Sequence, residues 1–454
     1  MTQKPKVGII GLGVNNKPLV PFLYKRGMEV IVADKRPSSE LRLSLTDMGL
    51  TDVQVLGGPE YLTKLSRVSN LRTVYLTPGM VKNLPEIEQM RRKGTVISCE
   101  TDVFFQHCPA PIIGITGSAG KTTTTTLVSQ ALRESGERPV FTGGNIGHSL
   151  WEDWPHITSE SLVVMELSSF QLELVTHSPQ GATVLNLSPN HLDIHGTMEA
   201  YAQAKSNIFR YQNSEDWVLL PDPPSLLQDM KIRPSGHILY FSLHDHGQAG
   251  SFVSDGKVMY RDLAHRVTSC FPISIIQVPG THNLLNVLAA AAIVGMAPGR
   301  MKALEHIVAN FSGVAHRLEK VRVHDNILYI NDSIATAPDR TMAALRAIKG
   351  PIVLLAGGYD KQLDYDELGQ AIAQSRVHHV VVLGQIQDKL ARSIARYSTI
   401  PVMHAESLEM AVESARQVAN PGDTVLLSPA AASYDMFRNF EDRGERFRKI
   451  VESF

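Results

Sequence analysis

Short apolar runs recur along this chain, and each ends in glycine or in polar residues, while helical patterns occupy the intervals between them. Runs of this length bounded by turn residues are typical of buried parallel strands. Their alternation with helices predicts an α/β fold built on parallel sheets. The predicted strands are residues 6–13, 30–34, 71–76, 112–116, 162–165, 183–187, 327–330, 352–356, 379–383 and 424–427.

The first two predicted strands form a βαβ unit, and the first of them runs into a glycine turn. Asp34 follows Gly13 by 21 residues, about where an acid that binds a ribose is expected. Asn16 stands where the dinucleotide-binding pattern has its third glycine, so the pattern indicates a Rossmann-type nucleotide-diphosphate site without identifying NAD. Thr77 opens a loop after the strand at 71–76, and spacing alone fits a ligand loop and a structural turn equally well.

A phosphate-binding loop is the most specific motif in the chain. The predicted strand at 112–116 runs into Gly117-Ser118-Ala119-Gly120, and Lys121-Thr122-Thr123 then opens a helical pattern. The glycines let backbone N–H groups approach phosphate oxygens at a helix N-terminus, which already favours anions. Lys121 can reach the outer phosphates and the Thr122 hydroxyl can bind Mg²⁺. Ile115 replaces the first glycine of the strict pattern, so this is a shortened variant.

Further polar side chains follow the next predicted strands, at what should be the same edge of the sheet. Glu166 comes directly after a buried strand, as a Mg²⁺ ligand would, although a strand end also commonly carries a solvated glutamate. His191 and Asp193 follow the strand at 183–187. Lys205 lies in a helical pattern over 198–209, where spacing alone indicates a solvated lysine.

Two amides lie three residues apart at the start of an alanine-rich helical pattern, Asn283 and Asn286. They therefore share a helix face. Amides there suit the recognition of a base edge, and N-capping explains either of them more simply.

The hydrophobic pattern breaks around residues 98–111, and a second boundary falls near residue 313. Glycine and proline at these places are typical of connections between domains. The length of 454 residues also favours about three domains.

Composition restricts the partners and the compartment. A net charge of −1, from 44 basic and 45 acidic residues, provides no global field toward nucleic acid or a membrane surface. Cys99, Cys108 and Cys270 have no metal-type spacing and cannot form a disulfide framework. The chain enters a strand pattern at once without a signal peptide, and no apolar run approaches the roughly 18 residues of a membrane span. We expect a cytoplasmic protein with small-molecule partners, and neither nucleic-acid binding nor membrane insertion.

The order of these motifs resembles that of the Mur ligases, the ATP-dependent amide ligases that build the peptidoglycan stem peptide. The likeness covers essentially the whole chain. It depends on the phosphate loop, Glu166, His191, Lys205 and residues 280–286, 316–319 and 331–333. Residues 166–173, 357–361 and 433–444 indicate a glutamate-adding member, and the Asp-Asn-Pro-Arg type motif of the diaminopimelate- or lysine-adding ligases is absent from the sequence.

The resemblance implies three domains and one reaction. A Rossmann-like domain at residues 1–99 would bind the UDP substrate. A central phosphate-loop ATPase domain with a parallel sheet would span residues 100–313. A doubly wound α/β domain at 314–454 would bind the amino acid. A monomer would add D-glutamate to UDP-N-acetylmuramoyl-L-alanine through an acyl phosphate, using ATP and two Mg²⁺ ions.

The same resemblance implies roles for individual residues, and Lys121, Glu166, His191 and Lys205 would be catalytic. The UDP-muramoyl substrate would contact Gly13, Val14, Asn15, Asp34, Lys35, Arg36, Thr77, Asn145 and His191. ATP would contact Gly117, Ser118, Ala119, Gly120, Lys121, Thr122, Thr123, Asn283 and Asn286, with Arg317 and Asp332. Mg²⁺ would be held by Thr122, Glu166, His191 and a carbamylated Lys205, because an ammonium would repel the metal. Glutamate would contact Thr336, Lys361, Ser433, Tyr434 and Phe440.

Two departures from the family pattern keep the amino-acid specificity open. Ile334 stands where the family commonly has a lysine, and Tyr434 replaces a more usual aliphatic residue. A relative that adds L-glutamate therefore remains an alternative. A folylpolyglutamate synthetase-like ligase would not need the N-terminal domain. An NAD-dependent oxidoreductase leaves the phosphate loop unexplained, and a non-catalytic nucleotide-binding module leaves the candidate metal ligands unexplained.

We predict that Lys121→Ala and Glu166→Ala each abolish ADP release while the fold survives, since each removes a charge needed to align and neutralise phosphates. Circular dichroism checks the fold, and a coupled ADP assay checks the reaction. Near-normal ligation by either variant would contradict the role given to that residue.

Overall fold

The computed structural model describes residues 4–13, 15–146, 149–189, 192–223, 225–296, 301–360 and 363–454. The chain divides into two compact units, residues 1–311 and 312–454. None of the described helices is both long enough and apolar enough to cross a membrane.

The first sheet is parallel, with the strand order β3-β2-β1-β4-β5. Strands β1, β2 and β4 lie where the hydrophobic pattern predicts strands, and their carboxyl ends share one edge. The strands are β1 Lys6–Ile10, β2 Glu29–Asp34, β3 Gln54–Gly57, β4 Leu71–Leu76 and β5 Val96–Cys99. The helices are α1 Leu19–Lys25, α2 Ser38–Thr46, α3 Tyr61–Ser66, α4 Pro85–Arg92 and α5 Glu100–His107.

Within residues 98–111, where the hydrophobic pattern breaks, β5 passes directly into helix α5. The first residues of α5 are polar but buried, including Glu100 and Asp102. The indole N–H of Trp151 donates to the Glu100 carboxylate. Polar residues on the buried side of a helix hide its hydrophobic periodicity, so the sequence pattern suggests an interruption.

The second sheet has the order β14-β13-β12-β11-β10-β9-β6-β8-β7 and is parallel from β7 to β12, with β13 and β14 added antiparallel. Its strands are β6 Ile112–Thr116, β7 Val140–Gly144, β8 Leu162–Glu166, β9 Gly181–Val184, β10 Trp217–Pro221, β11 His237–Phe241, β12 Gly250–Ser254, β13 Lys257–Arg261 and β14 Val267–Pro272. Its helices are α6 Lys121–Glu134, α7 Leu150–Asp153, α8 Ser169–Leu172, α9 Leu192–His195, α10 Met198–Arg210, α11 Ser225–Met230, α12 Thr281–Gly295 and α13 Met301–Asn310. Short 3₁₀ turns cover Trp154–His156 and Ile273–Ile275.

The strand predicted over 183–187 ends earlier, at Val184. The following residues leave the sheet to brace the phosphate loop. The backbone N–H of Ser118 donates to the Asn186 carbonyl over 3.1 Å. The apolar run is therefore longer than the strand, because the last residues of the run form loop contacts that a hydrophobic pattern does not predict.

The third sheet lies in the second compact unit and has the order β15-β16-β20-β17-β18-β19, in which β15 pairs antiparallel and the other strands pair parallel. Alternate residues of β17 enter hydrophobic clusters on opposite faces, as the predicted doubly wound arrangement requires. Its strands are β15 Glu319–His324, β16 Ile327–Asn331, β17 Ile352–Gly357, β18 Val377–Leu383, β19 Val402–Ala405 and β20 Thr424–Leu427. Its helices are α14 Pro338–Ala347, α15 Asp366–Gln374, α16 Gln387–Tyr397, α17 Leu408–Val418 and α18 Phe440–Glu452.

Asp102 joins the first sheet to the second within the first compact unit. Its Oδ1 accepts from the backbone N–H groups of Thr176 and His177, over 2.7 and 3.0 Å. Its Oδ2 accepts from the Thr176 hydroxyl over 2.9 Å. Lys82 adds an ion pair with Glu173 close by. The loop that follows β8 and α8 is thereby attached to α5.

Asp102→Ala should lower the free energy of unfolding of the first unit by about 2–3 kcal/mol, because two partly buried backbone N–H groups lose their acceptor. Urea unfolding followed by tryptophan fluorescence measures this loss, since all three tryptophans lie in that unit. Asp102→Asn retains one carbonyl oxygen and should lose less. Equal stability of the alanine variant and the wild type would contradict the bracing role.

Candidate nucleotide and metal site

The phosphate loop connects β6 to α6 and has the backbone conformation that its glycines allow. Gly117 and Gly120 have φ values of 156° and 83°, in the region that favours glycine. The Asn186 side chain brackets the loop: its Oδ1 accepts from the Ala119 N–H over 2.9 Å and its amide donates to the Ala119 carbonyl over 3.0 Å. The Asn186 side chain therefore stabilises the backbone conformation of the loop.

Lys121 begins α6, and its ammonium lies against the loop. Its Nζ donates to the Gly117 carbonyl over 3.0 Å, and the Ser118 carbonyl is 3.4 Å away. Thr122, the next residue, is buried. A cation and a hydroxyl are thus placed beside the helix N-terminus, where phosphate oxygens would approach.

Glu166 ends β8, which pairs with β6 on one side and with β7 on the other. Its Oε1 accepts from the Asn145 amide over 2.9 Å. Its Oε2 is buried and has no hydrogen-bond partner among the described residues. A buried carboxylate oxygen without a donor is costly, and a bound cation would compensate it. The donor chemistry at Glu166 therefore fits a divalent ion.

Lys205 lies on α10 with its side chain 1% exposed, so the solvated lysine indicated by spacing alone is wrong. Its Nζ donates to the Thr116 hydroxyl over 3.2 Å and to the Gly117 carbonyl over 3.0 Å. Burial and then the charge of Lys121 hold the pKa of Lys205 well below its usual range, although Glu166 acts in the opposite direction. The neutral amine favoured here is the form that can react with CO₂.

Asn286 lies against the phosphate loop. A Cβ on Gly120 would lie 2.2 Å from the Asn286 Oδ1, so only glycine permits this approach. Asn283 precedes it by one turn, and its amide donates to the Pro279 carbonyl over 2.8 Å. The alternative of N-capping is wrong for both amides, because Gly280 is the N-cap residue of α12.

The first sheet carries its candidate residues in the loops after β1, β2 and β4. Asp34 accepts from the Leu12 N–H over 2.7 Å, and the Arg36 guanidinium donates to both of its oxygens, over 2.9 and 3.2 Å. Burial alone would raise the pKa of Asp34, but these hydrogen bonds outweigh it and lower that pKa. Asp34 and Arg36 therefore brace the loop that leads to Gly13. Thr77 approaches Gly11 closely, since a Cβ atom placed on Gly11 would lie 3.3 Å from the Thr77 side chain.

The third sheet buries Asp332 at the end of β16. Its Oδ2 accepts from the Ser428 hydroxyl over 2.8 Å, and its Oδ1 accepts from the Leu318 N–H over 3.1 Å. Burial raises the pKa of Asp332 to about 6. Arg317, which precedes Leu318, contributes an opposing electrostatic effect.

The candidate glutamate residues also belong to the second unit. Ser433 is buried, whereas Tyr434 is 64% exposed and meets the Tyr359 ring edge-to-face at 6.3 Å between centroids. The Phe440 carbonyl accepts from the Ser333 hydroxyl over 2.8 Å. Thr336 lies in the loop between β16 and α14.

Three candidate residues lie outside the described part of the chain: Val14, His191 and Lys361. The structure brings Lys121, Glu166 and Lys205 together with Asn145 and Asn286 in the first unit. Within the described residues, no group of three His, Cys, Asp or Glu side chains could hold a metal by itself.

Sequence reasoning missed several residues that shape these sites. Asn186 brackets the phosphate loop, and the Tyr201 hydroxyl lies 3.0 Å from the Ser118 Oγ. Arg443 is buried in the second unit, and its guanidinium donates to Ser333 Oγ over 3.0 Å and to the Ala431 carbonyl over 3.1 Å. Burial lowers the pKa of Arg443 to about 10. No local signal marks Arg443, because α18 also carries other arginines that the pattern does not distinguish from it.

The fold and the site define a phosphate-loop α/β protein whose loop lies beside a buried carboxylate and a buried amine. Comparison with known families gives the class: residues 115–294 match the Mur ligase middle domain, and residues 316–431 match the Mur ligase glutamate ligase domain. The chain is 41% identical over 451 residues to the UDP-N-acetylmuramoylalanine–D-glutamate ligase of Symbiobacterium thermophilum, covering 99% of this chain and 98% of that protein. It is 40% identical to the protein of the same name from Acetivibrio thermocellus, covering 99% and 97%.

A solved structure shares the fold. The UDP-N-acetylmuramate-alanine ligase MurC of Thermotoga maritima aligns with a TM-score of 0.52 at 19% identity, covering 99% of both chains. The resemblance stated from the motifs is confirmed by the close relatives. This chain belongs to the Mur ligase family.

Asp332→Asn should stabilise the second unit at neutral pH. The pKa of Asp332 in the folded state, about 6, lies above the ordinary value of 3.8. Between these two pH values the folded state binds more protons than the unfolded state, so the free energy of unfolding falls as the pH rises through this range. The asparagine variant lacks this loss and should be more stable at pH 7.5, by on the order of 2 kcal/mol, with little difference at pH 4.

Urea unfolding followed by circular dichroism measures this effect, because the second unit contains no tryptophan and fluorescence reports the other transition. A stability difference that does not change between pH 4 and pH 7.5 would contradict ionisation of Asp332 as its cause.

Proposed function

We propose that this chain joins D-glutamate to UDP-N-acetylmuramoyl-L-alanine, hydrolysing ATP to ADP and phosphate, in the synthesis of peptidoglycan precursors. The observation that carries the proposal is the convergence of Lys121, Glu166 and Lys205 beside the phosphate loop. The names of the full-length relatives support the substrate and the amino acid.

A carboxylate is a poor electrophile, and this chemical fact explains why such a site needs ATP. Phosphoryl transfer to the alanine carboxylate of the substrate forms an acyl phosphate and releases ADP. The glutamate amine then attacks the acyl carbon, a tetrahedral intermediate forms, and phosphate leaves as the amide forms. The protein mainly has to align anionic partners and neutralise developing charge.

Charge neutralisation falls to the phosphate loop and to Lys121. The N-terminus of α6 favours phosphate oxygens. Lys121 exchanges its two loop carbonyls for the outer phosphates. Thr122, Glu166, His191 and Lys205 would hold magnesium, whose charge would neutralise that of the phosphates. The unpartnered Oε2 of Glu166 supports this assignment.

Lys205 is proposed to act as its carbamate. A neutral amine adds CO₂ and loses a proton, and the product is an anionic oxygen ligand in place of a cation. The buried position of Lys205 supports this chemistry, since burial favours the neutral amine.

The remaining assignments follow the family pattern. The UDP part would contact Gly13, Val14, Asn15, Asp34, Lys35, Arg36 and Thr77, and the muramoyl–alanine part Asn145 and His191. ATP would contact residues 117–123, Asn283 and Asn286, and the family pattern also assigns Arg317 and Asp332 to ATP. Glutamate would contact Thr336, Lys361, Ser433, Tyr434 and Phe440. Three domains at 1–99, 100–313 and 314–454, in a cytoplasmic monomer, would carry these contacts.

A phosphate-release assay with UDP-N-acetylmuramoyl-L-alanine, ATP, Mg²⁺ and a panel of amino acids tests the proposal. D-glutamate should support release, and L-glutamate, D-aspartate and meso-diaminopimelate should not. Ile334, in place of the family's usual lysine, makes L-glutamate the alternative to examine. Release with L-glutamate alone would replace the proposed specificity, and no release with any amino acid would overturn the ligase assignment.

Lys205→Ala should reduce phosphate release by at least about a hundredfold, because the carbamate ligand is lost and cannot be rebuilt on alanine. Short carboxylic acids such as acetate should partly restore the activity, since they can occupy the space and supply an anionic oxygen. Lys302→Ala, in the exposed lysine of α13, serves as the control. Full activity of Lys205→Ala without added acid would exclude the carbamate.

A further inference from the structure

Arg340 is an exposed cation beside the loop that joins β16 to α14. Its guanidinium donates to the Ile334 carbonyl over 3.3 Å. Within the described part of the chain this is the one hydrogen bond of its side chain, and no carboxylate there forms an ion pair with it. A guanidinium has five N–H donors, so most of those on Arg340 are available to a ligand.

A cation at the position of Arg340 is electrostatically unfavourable by itself. Arg340 lies in the first turn of α14, which begins at Pro338. The unpaired N–H groups of a helix N-terminus favour anions, whereas cations are favoured in the last turn, where Arg346 lies. Asp339, also in the first turn, carries the charge that the helix end favours. An anionic ligand beside Arg340 would offset the repulsion between its guanidinium and the helix end.

Arg340 and Thr336 meet at one backbone group. The Thr336 N–H donates over 2.8 Å to the same Ile334 carbonyl that accepts from Arg340. The guanidinium therefore lies at the part of the loop to which the family pattern assigns a glutamate contact. The charge of Arg340 also acts to lower the pKa of Asp332, at the start of this loop, although burial outweighs that effect. The positive charge of Arg340 thus acts along the loop that carries Thr336.

The other candidate contacts for glutamate provide little positive charge. The described members of that set are all uncharged: Thr336, Ser433, Tyr434 and Phe440. Lys361 is a cation, and it lies outside the described residues. Glutamate carries two carboxylates, and cationic donors hold a carboxylate more strongly than neutral donors do. Ile334 stands where the family commonly has a lysine, and Arg340 reaches the backbone of that same residue.

Resting on the proposed function, we propose that Arg340 binds a carboxylate of the incoming glutamate and takes the place of the cation that the family pattern has at position 334. A guanidinium can hold a carboxylate through two parallel N–H groups. Such a contact fixes the orientation of the amino acid and also selects for its negative charge. Arg340 is then a specificity-determining residue of the glutamate site.

Matched variants separate the charge of Arg340 from its packing. Arg340→Ala removes the cation, and Arg340→Lys keeps the charge without the planar pair of donors. A rebuilt variant combines Arg340→Ala with Ile334→Lys, which returns a cation to the position where the family commonly has one. Arg346→Ala, at an exposed arginine near the other end of α14, is the control.

Phosphate release is measured while D-glutamate, ATP and UDP-N-acetylmuramoyl-L-alanine are varied in turn. Arg340→Ala should raise the KM for D-glutamate about tenfold or more, because a hydrogen bond between charged groups is lost. The KM values for the other two substrates and kcat should change by less than about twofold, as for the loss of a binding contact. Arg340→Lys and the rebuilt variant should each recover part of the affinity, and Arg346→Ala should match the wild type.

The melting temperature, followed by circular dichroism, establishes that each variant is folded. Arg340→Gln, which keeps a polar side chain, replaces the alanine variant if the latter is unstable. A wild-type KM for D-glutamate in the folded variant that lacks the cation would overturn the proposal. An equal rise in the KM for ATP would also overturn it, because Arg340 would then act through Asp332 or the phosphates.

Recovery in neither Arg340→Lys nor the rebuilt variant would likewise exclude a role for the charge. If the wild type accepts L-glutamate instead, the same series is measured with that enantiomer, since both enantiomers carry the two carboxylates. Absence of phosphate release by the wild type with every amino acid would instead refute the proposed function.

Discussion

Burial of charge beside the phosphate loop is the constraint on which the rest of the site depends. Lys205 and Glu166 are both withdrawn from water, and neither has an opposite charge as a direct hydrogen-bond partner among the described residues. A low-dielectric environment penalises both the ammonium and the unpartnered carboxylate oxygen. Conversion of the amine to an anion and addition of a cation would remove both penalties together.

The parallel sheet is what brings those groups together. Strand β6 lies between β8 and β9, so the loops after the three strands meet at one edge. Side chains that follow one strand stabilise groups at the end of a neighbouring strand in two places. Asn186 brackets the phosphate loop after β6, and Asn145 from the end of β7 holds one oxygen of Glu166. The Asn186 amide thereby satisfies backbone groups of the phosphate loop, and the Asn145 amide satisfies one carboxylate oxygen of Glu166.

The same balance between burial and hydrogen bonding recurs away from this edge. In the first sheet, Asp34 remains ionised because Arg36 and the Leu12 N–H stabilise its charge. In the second unit, Asp332 has weaker compensation, and burial raises its pKa. The difference follows from the partners: a guanidinium contacts Asp34 on both oxygens, whereas Asp332 accepts from one hydroxyl and one N–H.

Hydrophobic runs and glycine positions are local properties, so the parallel α/β class, the phosphate loop and the strand ends that carry Glu166 and Asp332 can be predicted from the sequence. The tertiary structure was needed to show that Lys205 is buried rather than solvated and that Asn286 lies against Gly120. It also revealed α5, whose polar residues are buried. These features arise between segments far apart in the chain, where burial and hydrogen-bond partners depend on packing and no local pattern records them.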